Sequence, residues 1–135
     1  MKKLLLFGFI CLISSYLFSQ DQSTALRVYE IFQNKCVNCH SNANPRAGLD
    51  LEGNGSNMEA KALSVYNNLV GAKSGNSTAT AKGYKLIHPG RVDKSFLFKK
   101  INQGLDKDMV LESGENASMP MSGSLSNVEK ELIRQ

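Results

Sequence analysis

The chain has 135 residues, the length of one domain, and 41% of them are hydrophobic, which excludes a disordered chain or a repeat array. Sixteen basic residues stand against 12 acidic ones, and without Lys2 and Lys3 the ratio is 14 to 12, a balance that excludes a nucleic-acid binder. No basic helix with interleaved aromatic residues appears.

Met1-Lys2-Lys3 is a basic start, Leu4 to Phe18 is an apolar stretch, and Ser19 is a small residue before Gln20; together they form the pattern of an export signal. The stretch of 15 residues is shorter than the roughly 20 that span a bilayer, so cleavage is expected, with 1–19 as signal peptide and 20–135 as the domain. Cys11 lies in the stretch behind Ile10, where lipidation would need a small residue. The expectation is an exported domain, periplasmic or otherwise extracytoplasmic, with no membrane span after cleavage.

Ser23 is positioned to cap a helix whose apolar residues Leu26, Val28, Tyr29, Ile31 and Phe32 cluster on one side as it runs into Cys36. There follows Cys36-Val37-Asn38-Cys39-His40, the attachment pattern for c-type haem. Two thiols at this spacing bond to the vinyl groups of the porphyrin, and the adjoining imidazole then reaches the iron as an effectively intramolecular ligand. Other readings of the motif fit less well. A two-residue gap is too tight to staple a fold, and a thioredoxin-like Cys-x-x-Cys opens a helix rather than following one. A zinc site would need four ligands, and after Cys36, Cys39 and His40 only His88 remains. Pro45, just beyond, is placed to offer its carbonyl to the ring N–H of His40.

From Asn42 to Asn57, Pro45, Gly48, Gly53 and Gly55 break regular structure and leave Leu49 and Leu51 as apolar contacts beside a porphyrin. Met58 to Val70 carries Ala62, Leu63, Tyr66, Leu69 and Val70 at helical spacing, and Gly71 suits a left-handed stop. Lys73 to Gly83 is made of small and polar residues and reads as a mobile excursion. Beyond Pro89-Gly90, Asp93 is expected to cap a third helix with Phe96, Leu97 and Ile101, ending near Gly104. Ser126 and Glu129 form a capping box for a last helix through Leu132 and Ile133. A helix this short is marginal alone, which leaves two expectations: docking on the first helix, or continuation past Gln135.

The sixth iron position has five candidates, Met58, Met109, Met119, Met121 and His88. Met119 is preferred, because it lies in a segment without helical periodicity where Pro120 restricts it to extended backbone. Met58 and Met109 read as core filler, Met121 remains a competitor, and His88 at a Pro-Gly turn reads as a surface or propionate-side group.

The order of helix, haem attachment, loop, helices, late methionine and final helix resembles the class I cytochrome c fold, an all-α architecture of three to five helices around one covalent haem. More narrowly the chain resembles the small cytochrome c domains called planctomycete-type. The residues that carry this are Cys36-Val-Asn-Cys-His40, Gly48-Leu-Asp-Leu51, Pro89-Gly90 with Lys94-Ser-Phe-Leu97, Met119-Pro120, and Leu125-Ser126 before a helix, over roughly residues 25 to 135. The resemblance implies His40 and Met119 as axial ligands. The chain departs from it at Met121, where such domains often have a second proline, and in lacking tryptophan.

A haem coordinated by protein on both faces offers no open position to substrate, so the expected function is one-electron transfer between redox partner proteins, without enzymatic activity of its own. An electron-transfer module of a larger oxidoreductase and a gas-sensing haem domain are the alternatives. Lys82, Lys85, Arg91, Lys94, Lys99 and Lys100 stand against one acid, Asp93; they read first as a solvated face and second as a surface steering an acidic partner.

Overall fold

A computed structural model of the protein describes residues 24–135. The expected signal peptide, Cys11, the start at Gln20 and the cap at Ser23 lie outside the described residues. Regular structure is chiefly helix: α1 over 24–35, α2 Met58–Leu69, α3 Ser77–Ala81, α4 Phe96–Ile101 and α5 Asn127–Arg134. A two-stranded hairpin, β1 His40–Ser41 and β2 Asn44–Pro45, pairs His40 with Pro45 and Ser41 with Asn44 in antiparallel register. Among the described residues this is a small all-α domain, and no helix in it is long and apolar enough to cross a membrane.

One core joins the helices. Tyr29, Ile31 and Phe32 of α1, Ala62, Val65 and Leu69 of α2, and Leu97, Phe98 and Ile101 of α4 bury their side chains together with Leu51 and Leu125. In α2 the buried stripe is 62, 65 and 69, spaced three and four residues apart on one side of the helix. Leu63 and Tyr66, expected on that face, are 60% and 55% exposed, because Val65 takes the inward position. Asn57 caps α2 by accepting from the Ala60 N–H at 2.8 Å, and Gly71 terminates it at φ 73° as expected.

α4 is the central element, with Phe96, Leu97, Phe98, Lys99 and Ile101 all buried. Its start differs from expectation. Asp93 lies in a 3-10 turn, Val92–Lys94, and gives its carboxylate to the Arg91 guanidinium at 2.9 and 2.7 Å, so Ser95 flanks the first turn instead. The Ser95 hydroxyl donates to the Arg91 carbonyl and accepts from the His88 N–H, both at 2.9 Å, tying the Pro89-Gly90 turn to the helix.

The stretch from Lys73 to Gly83 is a folded part of the domain rather than the mobile excursion its composition suggested. It contains α3, capped by Asn76, whose side-chain amide also donates to the Gly114 carbonyl at 2.9 Å. Ala79 is fully buried, and a Cβ on Gly75 would come within 2.5 Å of the Ala47 carbonyl oxygen. Small residues here allow backbone to approach backbone, and the polar side chains are consumed as caps; low apolar content therefore did not mean low packing.

At α5 the capping box is complete: Ser126 accepts from the Glu129 N–H, and Glu129 accepts from the Ser126 N–H at 2.7 Å. The helix packs on α4, and its Val128, Glu129 and Leu132 line a surface groove together with Arg27, Ile31 and Asn34 of α1. Ser126→Ala is expected to cost about 1 kcal/mol, a loss of a few degrees in melting temperature by circular dichroism.

Candidate functional site

The motif Cys36–His40 sits at the C-terminal end of α1. The Cys36 N–H still donates to the Phe32 carbonyl at 2.9 Å, after which the N–H groups of Cys39 and His40 both donate to the Cys36 carbonyl, at 3.1 and 3.0 Å. This tight turn brings the two cysteines and the histidine onto one short loop. Neither cysteine is in a disulfide, and both are half-buried. Burial, and secondarily the neighbouring Cys39, pushes the Cys36 thiol up to about 11.

The imidazole of His40 is oriented by backbone. Its Nδ1 lies 3.1 Å from the Arg46 carbonyl oxygen. A carbonyl only accepts, so Nδ1 is the donor in this contact and Nε2 is the nitrogen left for a metal. The partner is thus Arg46, one residue beyond the expected Pro45. Pro45 is held opposite His40 in the hairpin, whereas Arg46 begins a turn in which Ala47 and Gly48 take φ of 56° and 71° and so direct the Arg46 carbonyl back toward the ring. The same carbonyl accepts from the Leu49 N–H at 3.1 Å, which uses its second lone pair.

The loop that follows is anchored at both ends. The Leu51 N–H donates to the His40 carbonyl at 2.8 Å and the Arg46 N–H to that of Cys39 at 3.2 Å. From α1, Gln33 donates to the Leu51 carbonyl and Tyr29 to that of Glu52, at 2.9 and 2.8 Å. Leu51 is buried in the core, with Leu49, Cys36 and Val37 packed half-buried against it.

The five sixth-ligand candidates separate by burial and backbone. Met119 is half-buried on the same core that receives Cys36 and Val37, whereas Met121 is 72% exposed. The Met119 N–H donates to the Lys100 carbonyl at 2.8 Å and its carbonyl accepts from Gln103 at 2.9 Å, so its backbone is held by the end of α4 and the residues just past it. Met109 packs half-buried, consistent with core filler, but Met58 is 45% exposed at the first turn of α2 and fills nothing. His88 is half-buried and lines a cavity of about 400 Å³ with Val28, Phe32, Tyr66, Leu69 and Leu97. Neither the motif residues nor Met119 contribute to that wall, so this cavity does not gather the expected site.

A buried ionic cluster was not foreseen. The Lys99 ammonium meets both carboxylate oxygens of Glu115, at 3.1 and 2.9 Å, and one of Glu112 at 3.1 Å; it lies 4.9 Å from the centre of the Tyr84 ring. Lys82 pairs with Glu112 and Glu115 at 2.9 and 3.2 Å. Of the basic residues read as a solvated face or steering patch, Lys82, Lys99, Lys100 and Arg91 are therefore engaged within the fold, and Lys94 lies 5.3 Å over the Tyr84 ring. Glu112 and Glu115 follow 13 and 16 residues behind Lys99, and spacing along a chain without periodicity carries no sign of that meeting.

Among the described residues no group of three His, Cys, Asp or Glu is arranged to hold a metal ion. Comparison of the chain with protein-family models, with curated proteins and with solved structures found no match.

Proposed function

We propose that this chain is a mono-haem c-type cytochrome domain of the class I cytochrome c fold, exported from the cytoplasm, in which Cys36 and Cys39 bear the haem and His40 and Met119 are its axial ligands. The observation that carries the reading is the hydrogen bond from His40 Nδ1 to the Arg46 carbonyl, beside two thiols free of any disulfide. Haem c supplies one-electron exchange at its iron, between redox partner proteins.

The donor set suits that group. Two thiols three positions apart reach two vinyl groups; the Nε2 lone pair of His40 is the form an iron ligand needs, and the carbonyl behind Nδ1 raises its basicity. Leu49 and Val37, packed half-buried on the core beside buried Leu51, would give a bound porphyrin apolar contacts. Met119 supplies a soft thioether, and its half-buried place on the core favours it over exposed Met121.

Thiol redox catalysis is disfavoured on two grounds. A thiol pushed up to about 11 is almost wholly protonated at neutral pH, and the end of a helix that carries partial negative charge works against a thiolate.

The test is to express the protein alongside haem-maturation machinery and extract it with acid acetone. Pigment is expected to stay with the polypeptide, and pigment that washes free would remove the reading. Met119→Ala is expected to lose the far-red absorption of methionine bound to ferric iron and Met121→Ala to keep it; the reverse would move the sixth ligand to Met121.

A further inference from the structure

Met119 reaches its place through a surface segment that has no regular structure between the end of α4 and α5, apart from turns. What closes that segment is a pair of consecutive lysines in the last turn of α4. Lys99, 3% exposed, takes the carboxylate of Glu115, which is fully buried. Lys100 turns the other way: its ammonium donates to the carbonyls of Glu115, at 3.0 Å, and Ala117, while its own carbonyl accepts from the Met119 N–H at 2.8 Å. The Glu115 carboxylate also accepts from the Glu112 N–H at 2.9 Å, so its own loop is closed around it before the lysine arrives. Residues 115, 117 and 119 are thus fastened in turn to two adjacent residues of a buried helix.

We propose that Glu115 is a positioning residue for the sixth iron ligand, its carboxylate on Lys99 setting the register in which the loop presents Met119. The inference rests on the haem reading and on Met119 as ligand. Three residues, Asn116, Ala117 and Ser118, lie between Glu115 and Met119. Without the anchor, the stretch from Glu115 to Met119 is held by backbone contacts to Lys100 and Gln103, while Asn76 and Lys82 hold the loop further back, at Gly114 and Glu112. A buried ammonium left with one carboxylate oxygen, that of exposed Glu112, seeks solvent, and α4 cannot turn Lys99 outward without displacing Tyr84 and the loop above it.

The experiment uses the haem-loaded protein. Glu115→Gln keeps the shape and removes the charge. The expected result is loss of at least half of the far-red methionine absorption with haem still covalently attached and helical circular dichroism retained, together with at least about a tenfold gain in carbon monoxide affinity of the reduced protein as the competing thioether loosens. Undiminished absorption and unchanged carbon monoxide affinity would overturn the inference. Should Glu115→Gln not fold, Glu112→Gln carries the test, since that side chain is 60% exposed and contributes one of the oxygens on Lys99. A gain of about threefold in carbon monoxide affinity is then expected, and no gain overturns the inference. A wild-type protein with attached haem but no methionine absorption would also overturn it while leaving the attachment reading in place; a wild-type protein without attached haem would remove both.

Discussion

With Cys36→Ser and Cys39→Ser combined, acid acetone is expected to strip all pigment from the polypeptide, whereas the wild type is expected to retain it. A hydroxyl does not add to a porphyrin vinyl group as a thiol does, so serine preserves size and polarity while removing the bond. The single variants are informative in a different way. Each leaves one vinyl group conjugated with the ring, and the visible band is expected to move to longer wavelength with pigment still attached through the other sulfur. His40→Ala leaves both sulfurs and removes the imidazole whose approach the tether makes intramolecular, an advantage worth about 7 kcal/mol or more when geometry is well set. Its product is expected to carry haem that binds added imidazole, whereas the wild type does not. Pigment resisting extraction from the double serine variant would show that another group holds it.

Glu115→Gln is expected to destabilise the protein by about 3 kcal/mol, because the buried Lys99 ammonium loses the carboxylate that meets it with both oxygens and keeps only one carboxylate oxygen, that of exposed Glu112. For a domain whose whole stability is about 5–15 kcal/mol this is a large share. The sign of its pH dependence follows from the two partners. Burial pushes the Glu115 carboxyl up, but the Glu112 N–H, Lys99 and Lys82 outweigh it and hold the group below its ordinary 4.5. Its contribution is therefore complete above 4.5 and lost as pH falls through the depressed native value. Burial likewise pushes Lys99 down, but Glu115, Glu112 and Tyr84 outweigh it and hold the ammonium above its ordinary 10.5. That contribution is complete below 10.5 and lost as pH rises through the raised native value. The cluster thus stabilises fully between about pH 5 and about pH 10. Urea unfolding of the wild type and of Glu115→Gln is expected to differ by a constant amount across that window, and the difference is expected to shrink in acid. An equal difference at pH 3 and pH 7 would show that the carboxylate charge is not what stabilises the loop.

Much of the architecture was legible because its signals are local. The helix ending at the motif, the stop at Gly71 and the Ser126–Glu129 capping box each depend on residues within one or two turns, and each appears where the residue pattern places it. The misjudged places share a different cause. Asp93 was expected as a cap and is held by Arg91; Leu63 and Tyr66 were expected inside and face out because Val65 occupies the inner stripe. The segment around α3 looked too polar to pack, yet Gly75 lies against Ala47, and Thr78 against Gly114, through contacts between segments far apart in the chain. Lys99 and Lys100 looked like one patch of surface charge, and only the fold turns one inward and the other along the loop.

Residue identity by itself determined the chemistry on offer at the motif: two thiols and an imidazole at a spacing that suits a tethered porphyrin, followed by a late methionine beside a proline. Tertiary structure decided how that chemistry is held. It chose Arg46 over Pro45 as the partner of the imidazole, separated half-buried Met119 from exposed Met121, placed His88 in a cavity away from the motif, and built an ion cluster from charges that look solvated in the chain. The physical reason is range. A bond-forming group acts through its own atoms and its immediate neighbours, whereas orientation, burial and charge pairing depend on which distant segments the core brings within a few ångströms.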